Sequence, residues 1–578
     1  MYKPNTSHFQ QDIFASEMFL PKKKFEKLKH SKEYSFYKLI FCNINEDLFS
    51  VLYSDKKSRP NAPINAMVSS LILLQQKSWT YEQLLDQIDF DLKTRMALGL
   101  HSFADTPFSE STLFDFQLKV NDYWIKEGIN LFEVVFDALT EKQLKELKLK
   151  TNIQRSDSFL AASNIRTYSR VQLLVEVLIR LHRILSEEDQ VRYADLLSPY
   201  VKKTSNKFIY SLKREDIPHA LEELGNVYYE LHRAFKPHYG DREVFQIFQR
   251  VYEEHFTFVP AGRTGGEEKV TIKTTKELNS GMLQSPDDID ATYRKKRDQK
   301  SKGHVINVSE TAHPDNPLNL ITDVAVEKNN VDDSELLNKR IDKMKEKTPD
   351  LDELHTDGGY GSEDNDEKME EEKITHIQTA VRGRESEVPM EIEQLPARQS
   401  GGEENIYSVI CPTQQVASKP TRKRYKACFN IQVCNGCELI AVCPTVEQKR
   451  QPCRVYYFTH EDFLLDKRRR AINKIPKERR KIRPNVEATV KEFTSGMNHK
   501  GKLKVRGTFK TEAYAFTTAI SINFGRIYRY MTDNSGKQNI WLLRYTSFLP
   551  VIEFLRNLIR CQVRFWQKSG IIQLKVAL

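Results

Sequence analysis

Apolar positions recur at helical spacing through residues 1–135. Met67, Leu71 and Leu74 fall on one face of a helix opened by Asn61-Ala62-Pro63. Thr80 begins a second helix, which carries Leu84, Leu85 and Ile88. Gln83 stands three residues on, as a capping box requires, and Trp79 and Leu84 are spaced for a hydrophobic staple. Ser109-Glu110-Ser111-Thr112 leads into a third helix with Leu113, Phe116 and Leu118. Short helices joined by tight turns suit a helix-turn-helix-like DNA-binding module, and equally an ordinary helical bundle.

The period then changes. Residues 151–160 read as a short strand with Asp157 at its end. Helical stripes return over 165–255, one through Val171, Leu174, Val175, Leu178 and Leu181, another through Leu221, Leu224, Val227, Tyr228 and Leu231. Gly262–Gly266 and Ser285–Asp290 read as loops. His304–Ser309 alternates as a strand and Asn319–Val326 as its antiparallel partner, with Pro314, Asn316 and Pro317 in the turn. Asp332-Asp333-Ser334 caps a helix through Leu336, Leu337, Ile341 and Met344. Leu351 to Thr356 reads as a strand running into a tight turn at Asp357, with Gly358 and Gly359 supplying positive φ. Glu363–Glu372 is an acidic helix, and Ile374–Val381 a further strand.

With the helical block set aside, the order is strand, strand, strand, helix, strand, helix, strand. That is the element order of a ribonuclease-H-like sheet. The expected fold class is therefore α/β, a ribonuclease-H-like catalytic domain with insertions, preceded by an all-helical domain. The expected divisions are a helical DNA-binding domain over 1–140 and a first catalytic part over 150–382, with its helical insert at 165–260. A Cys-rich, basic insertion follows over 383–480, then the completing segment over 481–532 and a C-terminal tail over 533–578.

Composition adds a partner class. A chain of 578 residues with 39% hydrophobic residues can build several cores. No apolar run is long enough to span a membrane, and the start lacks a signal-peptide pattern, so a soluble cytoplasmic protein is expected. Net charge is +10, which suits a polyanion such as DNA. A basic run extends from Lys467 through Arg468, Arg469 and Arg470 to Arg483, and Arg506 lies in a second basic stretch. These residues are candidates for DNA contact; a solvated charged face is the competing reading.

The candidate chemistry is a carboxylate trio. Asp157 and Asp357 end adjacent strands in this reading, and Glu487 lies on a helix opened by Pro484. Carboxylates converging from separate elements are what two-metal phosphoryl transfer needs. They would hold two magnesium ions, with manganese as a substitute. Arg483 and Lys491 lie four residues either side of Glu487, where they could meet phosphate and offset the carboxylates' repulsion. Each residue alone is better read as a turn residue or an exposed ion pair; the set favours a site. Asp287, Asp288 and Asp290 form a rival cluster whose ordinary role is turn and cap hydrogen bonding.

The ordered set of motifs resembles the insertion-sequence transposases of the DDE class, most closely the group numbered eleven-eighty-two. The resemblance runs through Arg59-Pro60 to Phe116, Ser156-Asp157-Ser158 with Ser163-Asn164-Ile165, and Gln284 to Thr292. It continues through His355-Thr356-Asp357-Gly358-Gly359-Tyr360, Arg483-Pro484-Asn485-Val486-Glu487 and Lys504-Val505-Arg506-Gly507. It implies Asp157, Asp357 and Glu487 as catalytic, metal-holding residues. It also implies binding to element ends, cleavage and strand transfer, and a homo-oligomer assembled on DNA. Related transposases often carry Tyr three residues before the Arg and Lys seven after the Glu, where this chain has Arg480 and Thr494. The rival functions are a DNA-binding regulator with inert carboxylates and a nuclease that does not join strands.

Six of the eight cysteines fall between Cys411 and Cys453. Cys428, Cys434, Cys437 and Cys443 are the candidate ligands of one structural zinc, on the strength of the two-residue gap between Cys434 and Cys437. Free structural cysteines are the equal alternative.

Overall fold

The structure is a computed structural model. It describes residues 1–533 apart from 7, 9–18, 55, 57, 102–107, 202–203, 260–268, 297, 380–386, 396–405, 449–450, 477–478, 480 and 499–500. The expected loop Gly262–Gly266, the basic positions Lys477 and Arg480, and all of the C-terminal tail beyond Asp533 lie outside the described residues.

The chain is mixed α/β. Strands are β1 (Ile153–Ala162), β2 (Phe256–Val259), β3 (Lys269–Ile272), β4 (Thr292–Lys296), β5 (Gln299–Thr311), β6 (Ile321–Lys328), β7 (Glu353–Thr356) and β8 (Thr375–Gln378). The central sheet runs β5-β1-β7-β8, with β4 and β6 both on the outer side of β5. β4 lies along Gln299–Gly303 and β6 along His304–Glu310. β1 is antiparallel to β5 and parallel to β7, and β7 is parallel to β8. Helices Asp333–Lys347 and Glu363–Glu371 connect β6 to β7 and β7 to β8.

Asp157 stands inside β1, opposite Val308, and does not end the strand. The reason is that β5 continues to pair far past the point where β7 stops. β7 pairs with β1 only over Ile153–Arg155, so Asp157 lies just beyond the end of that parallel ladder.

The N-terminal helices form as their sequence signals require. Helix Tyr81–Phe90 carries the complete Thr80–Gln83 capping box, and helix Glu110–Glu127 is capped by Ser109. They do not enclose a core of their own. Helix Thr508–Asp533 packs on helices Ile64–Lys77 and Leu131–Leu147 and on β6, and one apolar cluster runs through all of them. Phe524 meets Phe36 edge-on at 5.2 Å, and Phe516 lies 5.9 Å from Phe136. Asn523 makes both backbone hydrogen bonds of Ile321 on β6, at 2.8 and 2.9 Å. The N-terminal helices and the sheet thus share an apolar cluster across residue 140.

A buried ion cluster joins the same parts. Asp323 on β6 is enclosed by Arg340 and Lys347, and both cations also reach Glu133 on helix Leu131–Leu147. Burial disfavours the Asp323 charge, but the two cations outweigh it and hold the carboxyl far below its ordinary range.

The helical block folds as read. Helices Arg170–Ile184, Ile217–Tyr239 and Glu243–His255 enclose a second core that includes Val171, Leu174, Val175, Leu178, Leu181, Leu224, Tyr228 and Leu231. Residues 391–458 hold a second, antiparallel sheet, β9 (Glu391–Gln394), β10 (Tyr407–Ile410), β11 (Gln415–Pro420), β12 (Tyr425–Asn430), β13 (Val446–Glu447) and β14 (Cys453–Phe458). Its order is β13-β14-β12-β11-β10-β9. Helix His460–Lys474 ties it to β8. Among the described residues, no helix is long and apolar enough to cross a membrane.

Asp323→Ala leaves Arg340 and Lys347 without their buried counter-charge. It should cost about 3–5 kcal/mol, the usual penalty for removing one partner of a buried pair. Urea unfolding of the full chain should show it as a fall in midpoint.

Candidate active site

The parallel ladder of β1 and β7 ends at the pair Arg155 and His355. Two residues further on each chain stand Asp157 and Asp357, so both carboxylates leave the same edge of the sheet. Asp357 opens a single turn of 3-10 helix, Gly358–Tyr360, and its Oδ1 accepts the Gly359 N–H at 2.7 Å. Neither Gly358 nor Gly359 has positive φ, contrary to the sequence expectation. A capped 3-10 turn keeps φ negative, so the reversal is made by the Asp357 side chain. Tyr360 follows, fully buried, and its hydroxyl donates to Asn307 on β5 at 2.7 Å. That bond crosses from the Asp357 turn to the strand beyond β1 and fixes the turn against the sheet.

Glu487 comes from helix Val486–Thr494. Val486, Thr489 and Phe493 are buried, and Phe493 meets Phe159 of β1 at 5.8 Å. The helix is held by Glu310, a wholly buried carboxylate on β5. Glu310 accepts from Arg155 at 2.6 Å, from Thr489 at 2.6 Å and from Arg526 at 2.6 Å. Arg155 also donates to the Ile482 carbonyl at 3.0 Å, immediately before Arg483. One buried charge thereby ties β1, β5, helix Thr508–Asp533 and the segment carrying Arg483 and Glu487.

The three candidate carboxylates meet on Arg483. Its Nη2 lies 2.8 Å from Asp157 Oδ2 and 3.9 Å from Asp357 Oδ2, and its Nη1 donates to Glu487 Oε1 at 2.9 Å. Asp157 is 13% exposed, Asp357 36% and Glu487 67%, so the site opens from the sheet towards the helix. Each Asp uses Oδ1 locally, Asp157 for the Ser158 N–H and Asp357 for the Gly359 N–H, and turns Oδ2 to the guanidinium. Burial raises the Asp157 carboxyl above its ordinary value; Arg483 opposes the rise and Asp357 adds to it.

Three hard oxygen donors drawn to one cation fit a magnesium or manganese ion in kind. Their spacing, however, is set by the guanidinium. Among the described residues, no group of three or more His, Cys, Asp or Glu side chains is arranged to hold a metal ion.

The rival aspartates are occupied elsewhere. Asp288 is buried at the far end of β1, where it accepts from Ser163 at 2.5 Å and from the Gly507 N–H at 2.8 Å, with His304 Nε2 at 3.6 Å. Its other oxygen caps the N–H groups of Asp290 and Ala291. Asp287 pairs with Arg180 at 2.6 Å, and Asp290 accepts from Thr508 at 2.9 Å. The cluster is a clasp between the helical insert, the end of β1 and the start of helix Thr508–Asp533.

The basic candidates divide. Arg468 pairs with Asp366 at 2.6 Å, and Arg470 donates to the Ile392 carbonyl of β9 at 2.5 Å, so both pin helix His460–Lys474 to its neighbours. Arg469 lies on that helix between them. Arg506 donates to the Asn164 carbonyl at 2.7 Å. Lys491 is exposed on the Glu487 helix. Thr494 is the last residue of that helix.

The cysteines group differently from the expected set. Cys434 lies in the core of the second sheet with Cys411 and Cys443 packed against it. Cys428, on β12, instead lies beside Cys453 on the neighbouring β14. The hairpin geometry is responsible, since β12 carries Cys428 away before helix Ile431–Asn435 brings Cys434 inward. The residues that sequence reasoning missed are Arg155, Glu310 and Arg526. No local signal marks Glu310, since its strand also carries Lys300, Lys302, His304, Asn307 and Ser309.

In comparisons with protein-family models, with curated proteins and with solved structures, nothing matches the chain.

The Asp288 carboxyl is pushed up by burial, but the nearby His304 ring and the hydrogen bonds from Ser163 and Gly507 prevail and hold it down to about 2, below the usual 3.8. Its folded value is depressed, so its contribution to stability is present above 3.8 and lost as pH falls towards about 2. Asp288→Asn should therefore be less stable than the parent at neutral pH, with the gap narrowing through that acid window. Unfolding midpoints measured against pH check it.

Proposed function

We propose that the chain is a DNA transposase of the DDE class, built on a ribonuclease-H-like sheet and acting on the ends of an insertion sequence. The observation that carries this reading is the meeting of Asp157, Asp357 and Glu487 on one guanidinium at one sheet edge. These residues come from β1, the turn after β7 and a helix 130 positions further on. The strand order β6-β5-β1-β7-β8, with β5 antiparallel and β7 and β8 parallel to β1, supports the ribonuclease-H-like assignment. The motif order that resembles the insertion-sequence transposases supports the substrate.

In this reading Asp157, Asp357 and Glu487 would hold two magnesium ions, which would supply polarisation of the scissile phosphate and a lowered pKa for the attacking water or 3′-hydroxyl. The chain's own part is positional. Asp157 and Asp357 each keep one oxygen fixed by a backbone N–H and present the other, so the donor pair is oriented before any cation arrives. Glu487 closes the set from the exposed side. Lys491, one helical turn on and exposed, would meet a phosphate of the same strand. DNA is the partner, with a homo-oligomer forming on it.

The second reading, a DNA-binding regulator with an inert site, is favoured by the Arg483 bridge itself, which neutralises carboxylates that catalysis needs free. Metal-dependent nicking separates the two.

Asp157→Asn, Asp357→Asn and Glu487→Gln should each abolish cleavage and strand transfer on DNA bearing the element ends, while leaving end binding intact. Because the trio works as a unit, one loss should cost nearly as much as all three. Normal cleavage by all three variants would remove the reading. Asp157→Cys should be inactive with magnesium and partly restored by manganese, which accepts the softer thiolate; equal inactivity with both ions would detach Asp157 from the metal.

A further inference from the structure

Arg483 is oddly placed for a residue whose task is only to bind DNA. Its side chain is 14% exposed and turned inward, with both terminal nitrogens on carboxylates. Its Nε is buried without a hydrogen-bond partner, so the fork is incompletely satisfied where it stands. Three carboxylates around one guanidinium also leave the place short of positive charge.

We propose that Arg483 is an internal counter-cation: it occupies the divalent cation's place among Asp157, Asp357 and Glu487, and must leave that place for the cation to enter. The proposal rests on the metal-site reading above and adds a competition to it. Without the guanidinium, two aspartates at one sheet edge and a glutamate beside them would repel one another and splay. With it, they stay gathered. A divalent cation brings more charge to the same oxygens and replaces the guanidinium.

The backbone need not move in this exchange. Arg155 holds the Ile482 carbonyl, and the turn Arg483–Asn485 is continuous with the Glu487 helix, so rotation of the Arg483 side chain suffices. A guanidinium released at the mouth of the site faces the space a nucleic acid backbone would fill. Its planar fork matches a phosphate in a bidentate contact. Metal entry and DNA engagement would then favour each other through one side chain.

The test measures metal affinity alone, on the full chain without DNA, by titration calorimetry with Mn²⁺. Arg483→Gln removes the competing charge and should bind Mn²⁺ roughly tenfold or more tightly than the parent. Arg483→Lys keeps a charge but cannot span three carboxylates with one ammonium, so its affinity should fall between the two. Asp157→Asn identifies the heat that belongs to this site. If Asp157→Asn lowers Mn²⁺ binding and neither Arg483 variant gains affinity, the competition is wrong while the metal site stands. If Asp157→Asn leaves Mn²⁺ binding unchanged, the metal-site reading and the competition fall together.

Discussion

Glu310 carries its charge in the interior of the molecule, and the arrangement of the site depends on what compensates it. A buried carboxylate without partners would cost several kcal/mol. Here Arg155 and Arg526 flank it and Thr489 donates to it, so four elements distant in sequence must sit in one relation for the charge to be tolerated. Arg155 then reaches the carbonyl before Arg483, and Arg526 pairs with Glu492 on the Glu487 helix at 2.7 Å. The position of Glu487 relative to Asp157 follows from this network rather than from apolar packing alone, which would fix the helix face but not its register.

The same logic joins the N-terminal helices to the sheet. Asp323, Arg340, Lys347 and Glu133 make a second buried ion cluster, and helix Thr508–Asp533 gives both halves one apolar core. The Lys504 ammonium donates to the Ser78 carbonyl at 2.6 Å, at the turn before the capped helix Tyr81–Phe90.

Local signals in the sequence were read where they are local in physics. The Thr80–Gln83 box, the stripes of the helical insert and the order of strands around Asp157 and Asp357 depend on neighbours a few residues apart, and they are found in the structure. Asp157 was expected at the end of a short strand, but the parallel ladder with β7 stops at Arg155 while the antiparallel pairing with β5 runs on to Ala162, which only the pairing reveals. The second sheet was missed because each of its strands is six residues long or shorter, too few for a period-two pattern to stand out. Cys428 was grouped with Cys434 although it lies beside Cys453, because spacing along the chain does not show which hairpin turns a thiol inward. Arg483 was read correctly as a neighbour of Glu487, yet its two aspartate contacts come from across the fold.

The central claim is that Asp157, Asp357 and Glu487 form a divalent-cation site at which DNA is cut. Anomalous scattering from crystals of the full chain grown with Mn²⁺ and duplex DNA tests it most directly. The account predicts a manganese peak within coordination distance of Asp157 and Asp357, with Arg483 turned away from them. Crystals saturated with Mn²⁺ that show no peak there, and Arg483 still between the carboxylates, would contradict it.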